Sequence, residues 1–237
     1  MLSKINILIA GGGTGGHLFP AFAIGEQLEK EGANVFYVGS IYGMEQKYKK
    51  NLMDKLYLLD IKGIDRNLSI KSIINNMFFP IRFIKSYLHS LFLIKKINPS
   101  IIIGTGGYSS GLPLLAGITL KVTSVIHEQN SYPGVTTRFL CNKVNKIFIA
   151  SNSIKPYIPS DNYLFTGNPI RNDLKKINRE EACNKIGLDF TRKIIFIIGG
   201  SQGSQPLNQF FSKNYKELVD NNIQLIWQTG KSEFQRI

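Results

Sequence analysis

The chain is poor in the residues that build covalent or metal frameworks. It has two cysteines, Cys141 and Cys183, and neither belongs to a C-x-x-C pair. That excludes a disulfide scaffold and a cysteine zinc site, and it fits a reducing compartment. Only three histidines occur in 237 residues. His127-Glu128 is followed by Gln129-Asn130-Ser131, so the second histidine of an H-E-x-x-H zinc site is missing. Acidic residues are scarce as well: 16 against 29 lysines and arginines, a net charge of +13. This balance favours anionic partners such as phosphorylated ligands, nucleic acid or an anionic membrane surface. Scattered solvated lysines account for the same number with no special partner. Long hydrophobic runs are absent too. The first apolar run, Ile5 to Ala10, is too short for a signal-peptide core. The uncharged stretch 98–120 is broken by Gly104-Thr105-Gly106-Gly107-Tyr108-Ser109-Ser110-Gly111, too polar and glycine-rich for a lipid-facing helix. No transmembrane segment is expected.

What is present is globular: 43% hydrophobic residues, 19% charged and 22 glycines. Short apolar runs alternate with helical patterns, the mark of an α/β fold. Strands are expected at Ile5 to Ala10, Val35 to Val38, Leu56 to Asp60, Ser100 to Ile103, Val122 to Ile126, Lys146 to Ala150 and Tyr163 to Phe165. Helices are expected from near Leu18, from about Pro113 to Leu120 and from Pro133 to Asn142. Ile64 to Ile97 reads as largely helical, interrupted at Pro80. Thr166-Gly167-Asn168-Pro169-Ile170-Arg171 reads as a turn between two halves, 1–166 and 167–237. The second half opens with Lys193 to Ile198 running into Gly199-Gly200-Ser201-Gln202-Gly203-Ser204, and it holds only two convincing strands.

Three glycine loops carry the chemistry. Gly11 to Gly16 fits G-x-G-x-x-G, with glycines free to adopt positive φ and a helix N-terminus that favours an anion. A dinucleotide site needs an acidic residue at the end of the next strand, and that strand ends Tyr37-Val38-Gly39-Ser40. A P-loop needs Lys after the last glycine, where His17 stands. His17 then sits at the carboxyl edge of a parallel sheet, where α/β ligands bind, and histidine is the residue type suited to proton transfer near neutral pH. Its bland role is a structural hydrogen bond. Gly104 to Gly111 is the second loop, and Glu128 and Gln129 end a strand at the same edge, as site groups or as members of a hydrogen-bonded turn. Gly199 to Ser204 is the third, offering backbone donors with Ser201 and Gln202 to a phosphate. Arg171 is within reach of a site or is plain surface.

Ile64 to Ile97 is basic and over-supplied with apolar residues. Lys71, Arg82 and Lys85 interleave with Met77, Phe78, Phe79 and Phe83, more than one buried stripe needs. Such a surface suits an anionic membrane interface, where each basic residue adds about 1 kcal/mol. A nucleic-acid partner is not expected, since no recognisable module is present.

Gly11-Gly12-Gly13-Thr14-Gly15-Gly16-His17, the Gly104 to Gly111 loop, His127-Glu128-Gln129-Asn130, Gly167-Asn168-Pro169-Ile170-Arg171 and Gly199-Gly200-Ser201-Gln202-Gly203 occur in this order. Together they resemble the MurG family of peptidoglycan glycosyltransferases, from Ile5 to about Gly230. The resemblance implies a GT-B-type fold of two Rossmann-like parallel-sheet domains with the active site between them. It implies inverting transfer of GlcNAc from UDP-GlcNAc to the MurNAc 4-hydroxyl of undecaprenyl-diphosphate-MurNAc-pentapeptide, lipid I to lipid II, and so a part in cell-wall growth, cell shape and division. It implies no metal or other cofactor, and a peripheral place on the cytoplasmic face of the membrane. Carried over by position, Gly13, Thr14, Gly106, Gly107 and Tyr108 hold the acceptor diphosphate. Thr14, Gly15, Gly16, Asn130, Arg171, Ser201 and Gln202 border the donor. His17 is the first candidate for general base and Glu128 the second. Family members continue further, so 1–166 is expected to be a full acceptor-binding, membrane-associating domain and 167–237 the beginning of a donor domain. The alternative is a non-catalytic acceptor-binding and membrane-anchoring subunit or fragment, completed by a separate donor-binding chain.

Overall fold

The computed structural model describes residues 5–63, 69, 76–158, 161–172, 174–200 and 203–237. Contacts divide the chain into two compact units, Met1–Asp173 and Leu174–Ile237.

The first unit is built on seven parallel strands: β1 (Asn6–Ala10), β2 (Asn34–Ser40), β3 (Leu56–Leu59), β4 (Ile101–Gly104), β5 (Thr123–Glu128), β6 (Lys146–Ile149) and β7 (Tyr163–Phe165). Their order in the sheet is β3-β2-β1-β4-β5-β6-β7. Helices cover both faces, as a parallel sheet requires. They are α1 (Gly15–Lys30), the single turn α2 (Lys49–Leu52), α3 (Phe79–Ile97), α4 (Tyr108–Thr119) and α5 (Val135–Leu140). Side chains alternate across β1, so Leu8 and Ala10 join one core and Ile7 and Ile9 the other. The first core takes Leu93, Ile94 and Ile97 of α3 and Leu112, Leu114 and Ala116 of α4. The second takes Ala21 of α1 with Val35 and Val125.

The order reverses direction between β1 and β4, which pair in register from Ile7↔Ile101 to Ala10↔Gly104. Ligands of open parallel sheets bind at such a switch point, beyond the carboxyl ends of the strands. Both glycine loops of this unit leave the sheet there.

Some element boundaries differ from the sequence expectation, mostly around prolines. Pro80 lies in the first turn of α3 and so starts that helix. Pro113 lies inside α4, which begins five residues earlier at Tyr108, so the end of the second glycine loop is already helix. Likewise α1 starts at Gly15 and holds Pro20 within it. His127 and Glu128 belong to β5 itself. A 3-10 turn at Met44–Tyr48, absent from the expectation, follows β2.

The second unit pairs β8 (Lys193–Ile198) with β9 (Ile223–Gln228) in parallel. It also contains α6 (Arg179–Ile186) and α7 (Gln205–Asp220). Asn208, buried on α7, donates to the Thr229 carbonyl at 2.8 Å and accepts from the Trp227 indole at 3.1 Å. Those two bonds tie the crossover helix to its second strand.

Candidate functional site

A cleft of about 330 Å³ opens at the switch point of the first unit. Gly12, Gly13, Thr14 and His17 form one wall, and Gly107, Tyr108 and Ser109 another. Ser40, Tyr42, Gly43 and the segment Ile61-Lys62-Gly63 close the rest. Lys62 is the lysine of this lining. Thr14 is the N-cap residue of α1, and its carbonyl accepts from the amides of His17 and Leu18. Gly15 and Gly16 form the first turn of α1, which carries no acidic residue. The helix dipole there favours an anion. Ser109 lies in the first turn of α4, and its hydroxyl is buried without a hydrogen-bond partner among the described residues.

The two glycine loops hold the His17 ring between them. A Cβ on Gly106 would stand 2.6 Å from His17 Nδ1, and one on Gly107 3.3 Å from Cδ2. Both residues have positive φ, 96° and 78°, so no other residue type meets both demands. Thr105, fully buried, grips the same histidine twice. Its hydroxyl donates to the His17 carbonyl at 2.8 Å, and its own carbonyl lies 3.0 Å from His17 Nδ1. Gln129 Oε1 is the other neighbour of Nδ1, at 3.3 Å. Among the described residues Nε2 has no protein partner.

Two sequence expectations are corrected here. Glu128 is not placed as a base. It is 2% exposed, and donors occupy both of its oxygens. Oε1 accepts from the Asn130 amide at 3.2 Å and its side chain at 2.8 Å. Oε2 accepts from the Gly134 amide at 3.0 Å and the Thr137 hydroxyl at 2.5 Å. Glu128 thus holds the 129–134 turn, and the Asn130 side-chain nitrogen is spent on it. Nor is the amide of Gly13 free for an anion, because it donates to Glu45 Oε2 at 2.8 Å. Glu45 is fully buried and its Oε1 accepts from the Ser40 amide at 2.5 Å. Sequence reading missed Glu45 because it sits in a short 3-10 turn with no motif around it. It gave Thr105 no role of its own and left Gln129 open between a site group and a turn; the parts of both come from contacts across the sheet edge.

His127 is buried on the far side of Gln129. Gln129 Nε2 lies 3.0 Å from His127 Nδ1 and donates to the His127 carbonyl at 3.0 Å. His127 Nε2 lies 3.0 Å from the Gly167 carbonyl. Burial pushes the His127 pKa below its ordinary value, against the smaller opposing effects of the Gly167 bond and the Glu128 charge. Arg171 rests over the ring of Phe19, 5.2 Å from its centre, on the same helix as His17. Ser201, Gln202 and Lys71 lie outside the described residues.

Tyr108, 54% exposed, joins this cleft to an apolar pocket of about 160 Å³. Phe79, Phe83, Leu112, Leu115, Val135 and Phe139 are among its lining residues. Beside it, α3 turns an apolar stripe outward: Ile81, Ile84, Leu88 and Phe92 are each more than half exposed, as is Met77. Phe78 is exposed, Phe79 packs on Phe83 with ring centres 5.9 Å apart, and Lys85 is exposed. Arg82 is turned inward, 3.9 Å from Asp60 and over the Tyr42 ring. It therefore does not belong to the outward basic surface expected of it. Among the described residues no helix is long and apolar enough to cross a membrane, and no cluster of His, Cys, Asp and Glu could hold a metal.

Comparison with known proteins bears on what such a cleft serves. Residues 7–149 match the glycosyltransferase family 28 N-terminal domain, and residues 194–237 match the family 28 C-terminal domain. Over 99% of its length the chain is 36% identical to a Flavobacterium psychrophilum protein named UDP-N-acetylglucosamine--N-acetylmuramyl-(pentapeptide) pyrophosphoryl-undecaprenol N-acetylglucosamine transferase. Over 98% of its length it is 32% identical to the Bacillus subtilis protein of the same name. It spans 64% of the length of each. The crystal structure of Acinetobacter baumannii MurG matches with a TM-score of 0.68 at 22% identity, covering 98% of this chain and 61% of that one. At that identity the likeness speaks for the fold, which is of the GT-B type expected from the sequence. The first family match takes in more than half of the residues and the second follows it in chain order, so the chain belongs to glycosyltransferase family 28.

Proposed function

We propose that the chain takes part in the transfer of GlcNAc from UDP-GlcNAc to the MurNAc 4-hydroxyl of undecaprenyl-diphosphate-MurNAc-pentapeptide. The observation that carries this reading is His17. Its Nδ1 is held by acceptors and its Nε2 is open beside a cleft at the switch point. A neutral imidazole so placed can take the proton of an attacking hydroxyl, an assistance worth about 10²–10⁴ in rate. Lys62, the Ser109 hydroxyl and the N-terminal turns of α1 and α4 would receive the acceptor diphosphate. Gly106, Gly107 and Tyr108 shape that seat, and the part of Gly13 is conformational. The adjoining apolar pocket has the lining to take the first apolar units of the lipid. Thr14, Gly15, Gly16, Asn130 and Arg171 would border the donor. The UDP leaving group would be met by backbone donors and a helix dipole instead of a metal.

The outward stripe on α3, with Lys85, Lys95 and Lys96, supports a peripheral association with an anionic membrane, on its cytoplasmic face. The division of labour expected from the sequence, acceptor in 1–166 and donor in 167–237, is part of the same reading.

The test is a transfer assay on the 237-residue chain with labelled UDP-GlcNAc and lipid I. Labelled lipid II supports the enzyme. Lipid I bound without product, with turnover restored by a second donor-binding chain, supports the non-catalytic acceptor subunit. Neither binding nor turnover rejects both.

A further inference from the structure

We propose that Gln129 and His127 form a positioning relay that holds His17 in its Nδ1–H tautomer and so keeps Nε2 as the open, proton-accepting nitrogen. The relay deepens the reading of His17 as a base and rests on it for its purpose. The tautomer itself stands on hydrogen-bond direction alone.

The Thr105 carbonyl, 3.0 Å from His17 Nδ1, can only accept. Gln129 Oε1, 3.3 Å from the same nitrogen, can only accept as well. Both therefore require the proton on Nδ1. The amide of Gln129 has one workable orientation. Its Nε2 donates to the His127 carbonyl, and turning the amide over would set oxygen against oxygen. The same Nε2 faces His127 Nδ1 at 3.0 Å, so that nitrogen must be bare. The proton of neutral His127 is then on Nε2, where the Gly167 carbonyl accepts it at 3.0 Å. Three backbone carbonyls, of Thr105, His127 and Gly167, thus set the direction of every bond between the two imidazoles. Such a second neighbour that fixes ring tautomer is the general way a working histidine is oriented.

The relay needs a neutral His127. A proton on its Nδ1 would face the Gln129 amide donor and would turn that amide against the N–H of His17. The residues that line a pocket with His127 are Ile24, Ile103, Phe148 and Thr166 to Pro169, none of them titratable. The charge that bears on it is Glu128, next on its own strand, whose carboxylate is already met by donors. Burial, at 5% exposure, disfavours the charged form of the ring.

With three histidines in the whole chain, imidazole nitrogen NMR on the full-length protein resolves the question directly. The expected spectrum has His17 protonated at Nδ1 and bare at Nε2, His127 the reverse, and exposed His89 averaging between the two forms. Gln129→Glu replaces the donor by an acceptor. It should draw a proton onto His127 Nδ1 and raise the His127 midpoint by about one pH unit or more, with His17 still protonated at Nδ1. A wild-type His17 protonated at Nε2, or a His127 midpoint unmoved in Gln129→Glu, overturns the relay. The wild-type spectrum decides even where the variant does not fold. The transfer assay judges the base separately: a chain with the expected tautomers and no transfer keeps the relay and loses the reaction.

Discussion

At the scale of single residues, the candidate site depends on close approach. His17 fits only because positions 106 and 107 lack a Cβ. Gly106→Ala would place a methyl 2.6 Å from Nδ1 at a φ of 96°. The imidazole must move, and a displacement near 1 Å is expected to lower transfer about 10²-fold. The His17 nitrogen resonances should shift in the same variant; unchanged resonances would show that the ring has room. His17→Ala should remove about 10²–10⁴ of the transfer rate while leaving the circular dichroism spectrum intact. Near-normal turnover would take His17 out of the mechanism. Glu45 is a different kind of residue. Its two oxygens answer the amides of Gly13 and Ser40. Glu45→Gln keeps the size but turns an amide N–H toward one of those donors, leaving it unsatisfied. A loss of about 1–3 kcal/mol in urea unfolding is expected. Equal stability would mean the loop keeps its shape without the carboxylate.

At the scale of elements, α3 faces two ways. Leu93, Ile94 and Ile97 bury themselves against the sheet, whereas Ile81, Ile84, Leu88 and Phe92 face outward at helical spacing. The sequence pointed to the excess of apolar residues around Met77 to Phe83. The structure carries the stripe two turns further and withdraws Arg82 from it. Ile84→Glu with Leu88→Glu should lower binding to anionic vesicles about tenfold per residue, from the 1.5–3 kcal/mol that each buried side chain contributes. Both positions are exposed, so helicity should hold. Vesicle binding equal to wild type would assign the stripe to something other than a membrane.

At the scale of the whole molecule, the two units rest on unequal foundations. The first has seven strands covered on both faces. The second pairs two strands, with Phe196 and Ile198 of β8 more than half exposed. A two-stranded sheet has little independent stability. Amides of β8 and β9 are expected to exchange with solvent faster than those of β1, β4 and β5, and equal protection would contradict this. Global stability should also depend on His127. Its folded pKa is depressed below the unfolded value near 6.5, so its contribution is complete above that pH. As pH falls from there toward the folded value, the unfolded chain takes up a proton that the fold refuses. Stability then drops by up to about 1.4 kcal/mol per pH unit. His127→Gln should flatten that slope in denaturant titrations between pH 6.5 and 5.5. Identical slopes would place the depressed proton elsewhere.

Alternation of apolar runs with helical patterns was enough to read the α/β class, the strands of both units and the three glycine loops. Those features are local: strand periodicity, glycine's freedom at positive φ and a helix N-terminus all lie within a few neighbouring residues. Local signals misled where one residue type has two uses. Pro80 read as a break and Pro113 as a helix start, yet proline is at home in the first turn of a helix and is tolerated inside one where surrounding packing holds the chain. Tertiary structure alone decided which carboxylates and imidazoles are available. Glu128 looked like a candidate base until four donors closed on it. Glu45 carried no signal in the sequence and proves to lie buried beneath the first loop. Gln129 gained its meaning from Thr105, His17 and Gly167, which are distant in sequence. Hydrogen bonds between such residues depend on strand order and register, and a parallel sheet brings those ends together only once all of its crossovers are made.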